Sequence, residues 1–322
     1  MDLTGMPTIL DLAKQKGNDV TVGLIEESIL VNPEVGLFPS RQISGTSYKT
    51  LIRTGYPVAQ FRNINEGVPR SKSQYENRTV ECYIIDQQIA ADKALADVWE
   101  PGGFPAYQMI EAQGVTEAVF RLLGRQIYYG NSAAAITLGL GHAKGFPGFI
   151  DAVDTATKVI DAGGDPNATG GVTSAWFVKF GLKDVHLILG GNTVLNLLPE
   201  WRIQTVQSEI NAAFTAYVNS LMGWVGMQVG SVNSLVRVKN ISTENGHTMT
   251  DVLGGLALEA FPTGVKPDLI LMNRRSRRQL KNARVAQAIG QGFTANSVPL
   301  PTEIEGIPIQ ITDAIANGES TL

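Results

Sequence analysis

One cysteine, Cys82, and three histidines, His142, His186 and His247, are all that the sequence offers of thiol and imidazole metal ligands. A single thiol excludes internal disulfides and a thiolate cage for zinc. The histidines lie far apart in sequence and share no ligand spacing. Cys82 sits in a strand-like run and reads as a buried, inert thiol. A large excess of either charge is also missing, with 26 Lys and Arg against 30 Asp and Glu. The formal net charge is −4, which excludes a general polyanion binder. No apolar run approaches the roughly 18 residues needed to span a bilayer. No basic stretch followed by an apolar run opens the chain, so no secretory signal is expected. No membrane contact is expected, and synthesis in the cytosol is. The Asn-x-Ser/Thr sequons at Asn77, Asn167 and Asn240 then carry no glycan.

What is present is ordinary globular material: 322 residues, 43% hydrophobic and 17% charged. That length allows two or three domains and a sizeable core. The 34 glycines imply many turns and bulges. No repeat or low-complexity segment interrupts the chain. Residues 1–40 mix a short amphipathic segment, Ile9 to Lys16, with Pro and Gly, and read as an arm.

The stretch that follows is basic. Residues 41–80 hold seven bases (Arg41, Lys49, Arg53, Arg62, Arg70, Lys72, Arg78) and two acids (Glu66, Glu76), a net +5, so the remainder carries −9 of the overall −4. "SYKTLIRTGYPVAQF" and "NRTVECYIID" have β-branched and aromatic residues at strand-like spacing. "NINEGVPRSKSQ" between them is turn chemistry. A long hairpin is predicted. Arms of about 15 to 20 residues would reach roughly 50 to 65 Å, whereas a compact chain of this length has a radius of gyration of about 20 Å. Such a hairpin must project. A two-stranded hairpin is marginal alone, so another copy of the chain is its expected support.

Further on, "IDQQIAADKALADVWEPGG" reads as a helix closed by Pro and Gly. Phe104 to Asn131 is the strongest helix, with Val115, Ala118, Val119, Leu122, Leu123 and Ile127 on one face. Glu111 and Glu117 lie early in it and Arg121 and Arg125 late, as the helix dipole favours. "SAWFVKFGLKDVHLILGG" reads as two short strands joined by a turn. "INAAFTAYVNSLMGWVGMQVGSVNSLVRVKNIS" fits either a helix or a strand. "TMTDVLGGLALEAF" reads as a helix. "PDLILMN" reads as a buried strand feeding the helix "RRSRRQLKNARVAQAI", and "GIPIQITDAI" as a strand and turn.

Catalytic and ligand motifs fail on inspection. In "GLGHAKG", Lys144 stands where a dinucleotide fingerprint needs Gly, and it precedes Gly145 instead of following it as in a phosphate loop. Asp161, Asp165 and Asn167 resemble a calcium loop, but Gly163 is no oxygen ligand and Val172 lies near the position that needs Glu. No Gly-x-Ser-x-Gly elbow occurs. One charged pattern stands out. At about 100° per residue, Arg274, Arg277, Arg278, Lys281 and Arg284 share one helix face, and Arg275 lies off it. Such a stripe is either a solvated face with weak surface pairs or a face that meets acidic neighbours or nucleic acid.

The order of arm, long basic hairpin, amphipathic helix pair and glycine-rich domain resembles the major capsid proteins of tailed bacteriophages, which share the Hong Kong phage-type capsid fold also used by encapsulin shells. "GTSYKTLIRTGYPVAQFRNINEGVPRSKSQYENRTVECYIIDQQIAADKALAD" resembles the extended loop and its return. "PAYQMIEAQGVTEAVFRLLGRQIYYGN" resembles the spine helix. "PDLILMNRRSRRQL" with "GIPIQITDAI" resembles the strand-helix and closing strand of the axial domain. The resemblance covers nearly the whole chain and rests on the order of its parts.

It implies an α+β fold with an arm (1–40), an extended loop (41–83), a peripheral domain (84–130 and 171–240) whose spine helix spans 105–129, and an axial domain (131–170 and 241–322). Candidate peripheral strands precede the axial helix and do not end the chain, which resembles a permuted version found among short-tailed phages. The implied function is a self-assembling icosahedral capsid subunit that forms hexamers and pentamers around double-stranded DNA. It implies no enzymatic activity and no cofactor. Its implied partners are further copies, a portal, a scaffold and a decoration protein, and its location is the virion, after synthesis in the bacterial host. Lys49, Arg53, Arg62, Arg70, Lys72 and Arg78 on the hairpin, and the five bases of the axial stripe, are the expected subunit contacts. The alternatives are an encapsulin-like compartment shell and an enzyme with a glycine-rich site near His142.

Overall fold

The computed structural model describes residues 32–99, 102–167, 170–191, 196–197, 201–207, 213–292 and 298–319. The segment Ile9–Lys16 lies outside them, as do residues 1–31 of the expected arm. The first elements are α1 (Glu34–Leu37), β1 (Ser40–Gln42), β2 (Ser47–Gly55), β3 (Gln74–Glu81) and β4 (Tyr83–Asp92). Next come the helices α2 (Lys93–Asp97), α3 (Gly103–Tyr129), α4 (Ala133–Thr137) and α5 (Phe149–Ala152). Strands β5 (Val159–Asp161), β6 (Thr173–Val178), β7 (Val185–Leu189), β8 (Asn196–Leu197), β9 (Arg202–Gln207), β10 (Ala213–Val229) and β11 (Leu235–Ile241) follow. The chain continues through α6 (Asp251–Glu259), β12 (Leu269–Met272), α7 (Arg274–Gly290), β13 (Glu303–Ile304) and β14 (Ile307–Ile311). Among the described residues, no helix is long and apolar enough to cross a membrane.

The spine helix, α3, runs 27 residues between Gly102 and Gly130, both at positive φ. Gly130 is required for space as well, because a Cβ there would collide with Asp151 and the backbone of Gly148. Val119, Leu123 and Ile127 recur every four residues and are buried against the first core, as an amphipathic helix requires. Val115 packs beside them, but Ala118 and Leu122 of the expected face are exposed. The pair Glu117–Arg121, four residues apart, closes to 3.7 Å on the helix surface.

Two six-stranded sheets organise the rest. The first has the order β1-β7-β10-β4, with β8 and β9 also pairing β10. The 17-residue β10 settles the segment that fitted both helix and strand. Its antiparallel ladder with β4 runs from Ala216↔Asp92 to Val225↔Tyr83. That ladder is why the expected helix at "IDQQIAAD" is a strand. Ile84, Ile85 and Ile89 suit a pleated surface, and tertiary pairing overrides local propensity. The helix begins only at Lys93, where the Asp92 carboxylate caps the Ala94 amide at 2.9 Å.

The second sheet has the order β13-β14-β12-β6-β11-β5 and mixes parallel and antiparallel pairs. Its core gathers Phe177, Val236, Val238, Met249, Leu280 and Ile304 under α6 and α7. The two strands read from "SAWFVKFGLKDVHLILGG" are present as β6 and β7, but they belong to different sheets. The turn between them is a crossing point, fastened by Ser234 donating to Asp184 at 2.6 Å and by the Phe180 amide donating to Asp268 at 2.7 Å. Strand β6 and all but the last residue of β11, which fall within 171–240, thus share a sheet with β12 and β14.

Candidate functional site

The hairpin β2–β3 forms a sheet of its own, in register from Ser47↔Glu81 to Arg53↔Tyr75 and shifted at a bulge before Gly55↔Gln74. Its strands are nine and eight residues long, or about 30 Å at the antiparallel rise, shorter than the sequence predicted. Residues 56–73 carry no ladder, because Pro57 and Pro69 lack the amide donor and Gly67 adds no side chain. The base of the hairpin is anchored: Val80 and Cys82 pack on Ile188, with Tyr48 and Trp224 beside them. Burial raises the Cys82 thiol above its usual range, which keeps it protonated and inert. Beyond the base, Leu51, Tyr56, Val58, Phe61 and Ile64 are all exposed. A run of five large apolar side chains on one projecting element is unusual for a surface that stays wet.

The six hairpin bases divide in two. Arg53 lies 5.4 and 5.5 Å from the ring centres of Tyr56 and Tyr75 and donates to the Tyr75 hydroxyl at 3.3 Å. Arg62 donates to the Glu66 carbonyl at 3.1 Å, and Arg78 to the Val229 carbonyl at 3.2 Å. These three stiffen the hairpin and tie it to β10. Lys49, Arg70 and Lys72 are exposed.

The five-base stripe on α7 also divides. Arg284 grips Asp251 with two bonds, of 2.8 and 2.6 Å, and donates to the Glu303 carbonyl at 2.8 Å. Arg274 pairs with Asp313 at 2.9 Å, and Arg277 donates to the Pro301 carbonyl at 3.0 Å. Three of the five therefore fasten α7 to α6 and to the segments around β13 and β14. Arg278 and Lys281 have no partner among the described residues. Arg275, off the stripe, caps the carbonyls of Gly170, Gly171 and Ile241.

The other sequence candidates have structural roles. His142 lies where the loop after α4 folds onto the end of α3; its amide donates to Gln126 at 3.1 Å and its Nδ1 accepts from the Lys144 amide at 3.3 Å. Gly141 and Gly145 are small because a Cβ would collide with Gly130 or Gln126. His186 is buried beside Gly181, and burial lowers its pKa. His247 meets the Ala162 carbonyl at 2.8 Å, so the three histidines belong to three separate places. Asp161 accepts from the Gly163 amide and from Asn240, which closes a turn. Among the described residues no group of three or more His, Cys, Asp or Glu could hold a metal.

Two buried glutamates went unseen in the sequence. Glu34, 0% exposed, accepts at Oε1 from the Tyr128 hydroxyl at 2.9 Å and from the Thr312 hydroxyl. Burial raises its pKa, the hydroxyl bonds oppose this, and nearby Asp313 adds to the rise. Glu319, 2% exposed, accepts from the Tyr129 hydroxyl at 2.6 Å and from Ser174, and pairs with Arg237 at 3.0 Å. Arg237 in turn lies 5.2 Å from the Trp176 ring centre. Adjacent tyrosines at the end of α3 thus hold segments from opposite ends of the chain.

A spine helix laid on one sheet, a second sheet with its own core and a hairpin that leaves both define the shell-protein fold of tailed phages. The chain belongs to the family described as major capsid protein GP7, whose model matches residues 42–322. It is a structural subunit of an icosahedral capsid. The bacteriophage Epsilon15 structure is similar to it over 97% of both chains, with 19% identity and a TM-score of 0.67. The capsid of Myoviridae phage XM1 covers 69% of this chain and 96% of its own, at 11% identity and a TM-score of 0.48. The encapsulin of Synechococcus elongatus PCC 7942 covers 72% of this chain and 95% of its own, at 9% identity and a TM-score of 0.47. No curated protein matches the chain.

Proposed function

We propose that this capsid subunit assembles into hexamers and pentamers that close around double-stranded DNA, with the hairpin of each copy lying on its neighbour. The observation that carries this reading is the hairpin beyond its base: Tyr56, Val58, Phe61 and Ile64 have no core of their own. All six hairpin bases are exposed and keep their charge, since among the described residues Arg53, Arg62 and Arg78 bond only neutral oxygens, and the acidic remainder of the chain supplies the opposite sign. Such complementarity fixes register more than affinity. Many modest contacts, repeated around closed rings, then give a durable shell. The first sheet with α3 serves as the peripheral domain and the second sheet with α6 and α7 as the axial domain. The long strand β10 precedes the closing strands β12 and β14, which supports the permuted arrangement. The subunit needs no cofactor and catalyses nothing. Portal, scaffold and decoration proteins are its further partners, and the assembled virion, built in the bacterial host, is its location.

Deleting Pro57 to Gln74 tests this. The shortened chain is expected to melt cooperatively as a monomer and to build no shells in sedimentation. Loss of the cooperative melt would overturn the reading, because the hairpin would then be intramolecular. Shells that package protein cargo in place of DNA would favour a compartment.

A further inference from the structure

Arg278 and Lys281 stand over a depression of about 510 Å³ that also exposes Leu300 and reaches Ile311 at the end of β14. Leu300 is 53% exposed. Basic walls with an apolar floor do not match a phosphate backbone, which would satisfy the bases and leave the leucine and isoleucine wet. They match an acidic segment with apolar side chains of its own. The outer face of α6 has that composition. Val252, Leu256 and Glu259, spaced by four and three residues, fall on one side of the helix, and Val252 and Leu256 are 67% and 45% exposed. Glu305 lies against the same face, since a Cβ at Gly255 would sit 3.1 Å from its Oε1. Within one copy this face is uncovered, so the depression of the same chain does not receive it.

We propose that α6 of one copy seats in the α7 depression of the next, with Glu259 and Glu305 meeting Arg278 and Lys281 and with Val252 and Leu256 covering Leu300 and Ile311. The proposal rests on the reading that copies assemble into hexamers and pentamers, and it names two surfaces that touch there. They are different patches, so the contact is head-to-tail and closes only as a ring. The Arg284–Asp251 pair joins α7 to α6 inside each copy, so both surfaces are held in fixed relation.

Charge exchange in the full chain tests the pairing. Arg278→Glu with Lys281→Glu, or Glu259→Lys with Glu305→Lys, is expected to lower the yield of capsomers at least tenfold. The chain with all four changes is expected to recover it. Mixing the two double variants is expected to give alternating rings. Alternation closes with six members and fails with five, so hexamers should form without closed shells. If both double variants block assembly and neither the four-fold chain nor the mixture recovers it, the pairing is wrong and the stripe still contacts a neighbour elsewhere. If Arg278→Glu with Lys281→Glu assembles normally, both the pairing and the stripe as a subunit contact fall; poor DNA retention in that variant would assign the stripe to the genome. Should reversed charges unfold the chain, Arg278→Gln with Lys281→Gln reads the same contact through its capsomer yield.

Discussion

Tyr128 and Tyr129 are neighbours at the end of the spine helix, and each closes a clasp on a buried glutamate, but the two clasps are built differently. The Glu319 clasp includes a cation: Arg237 meets the carboxylate at 3.0 Å, Ser174 fills another lone pair, and Trp176 faces the guanidinium. Among the described residues the Glu34 side chain accepts from the neutral hydroxyls of Tyr128 and Thr312, and the charge that acts on it, Asp313, has the same sign. A buried pair that loses one member leaves an uncompensated charge. A buried carboxylate without a cation can instead take up a proton. One clasp is a fixed charge bond; the other is a hydrogen-bonded group whose charge depends on pH.

The largest effect is expected at the first clasp. Glu319→Ala strands Arg237 beside Trp176 and should cost about 3 to 5 kcal/mol of folding stability. Chemical denaturation of the dilute subunit measures it. A loss below about 1 kcal/mol would mean that Arg237 finds water or another acceptor, and the contrast between the clasps would disappear. Next is Glu34→Ala. It leaves the Tyr128 and Thr312 hydroxyls buried without their acceptor, at about 1 to 3 kcal/mol for each group left unsatisfied. Glu319→Ala strands two hydroxyls as well, those of Tyr129 and Ser174, in addition to the cation, and so ranks first.

A smaller change sharpens the comparison. Both hydroxyls donate to the same oxygen, Oε1, of Glu34. Glu34→Gln keeps that oxygen and removes the charge. The folded pKa of Glu34 lies above the ordinary glutamate value of 4.5. Its contribution is therefore fully present below that value and is lost as pH rises through the folded pKa. The difference in melting temperature between Glu34→Gln and the unaltered chain should grow in favour of Gln from about pH 4.5 upward, and level off once Glu34 is ionised in the folded state. A difference that does not change with pH would show that Glu34 does not titrate on its own in the fold.

Neither clasp was legible in the sequence, and the reason is separation. Glu34 lies 94 positions from Tyr128 and 278 from Thr312, and Glu319 lies 190 from Tyr129. No local pattern marks a glutamate that will be buried by residues so distant. The spine helix and the basic hairpin were legible, because their signals, a four-residue apolar period and a charge excess bounded by Pro and Gly, are local. Strand β4 was misread since its state is imposed by β10, more than a hundred residues later. Strands β6 and β7 were found, but nothing in their turn tells that it crosses between sheets. The α7 stripe was read from helical period alone, and α7 does carry all five of its bases. Its spacing could not tell that Arg274, Arg277 and Arg284 have partners within the chain, which leaves Arg278 and Lys281 for the contact proposed above.

The smallest effect on folding is expected at the hairpin tip, which sets the zero of the scale. Phe61 and Ile64 touch no core in their own chain, so Phe61→Ser with Ile64→Ser should change monomer stability by no more than about 0.5 kcal/mol. The role proposed for them is on the neighbouring copy. Burying a Phe or Ile side chain is worth about 1.5 to 3 kcal/mol, and each copy in a ring would lose that amount. The double variant should therefore melt as the unaltered monomer does and yield far fewer shells by sedimentation. The clasp variants are expected to do the reverse at matched folded concentration, assembling once folded but folding poorly. If the tip variant instead melts early, as Glu34→Ala is expected to, then the tip packs within its own subunit. The division between residues that hold the chain and residues that hold the shell would then have to be redrawn at the hairpin.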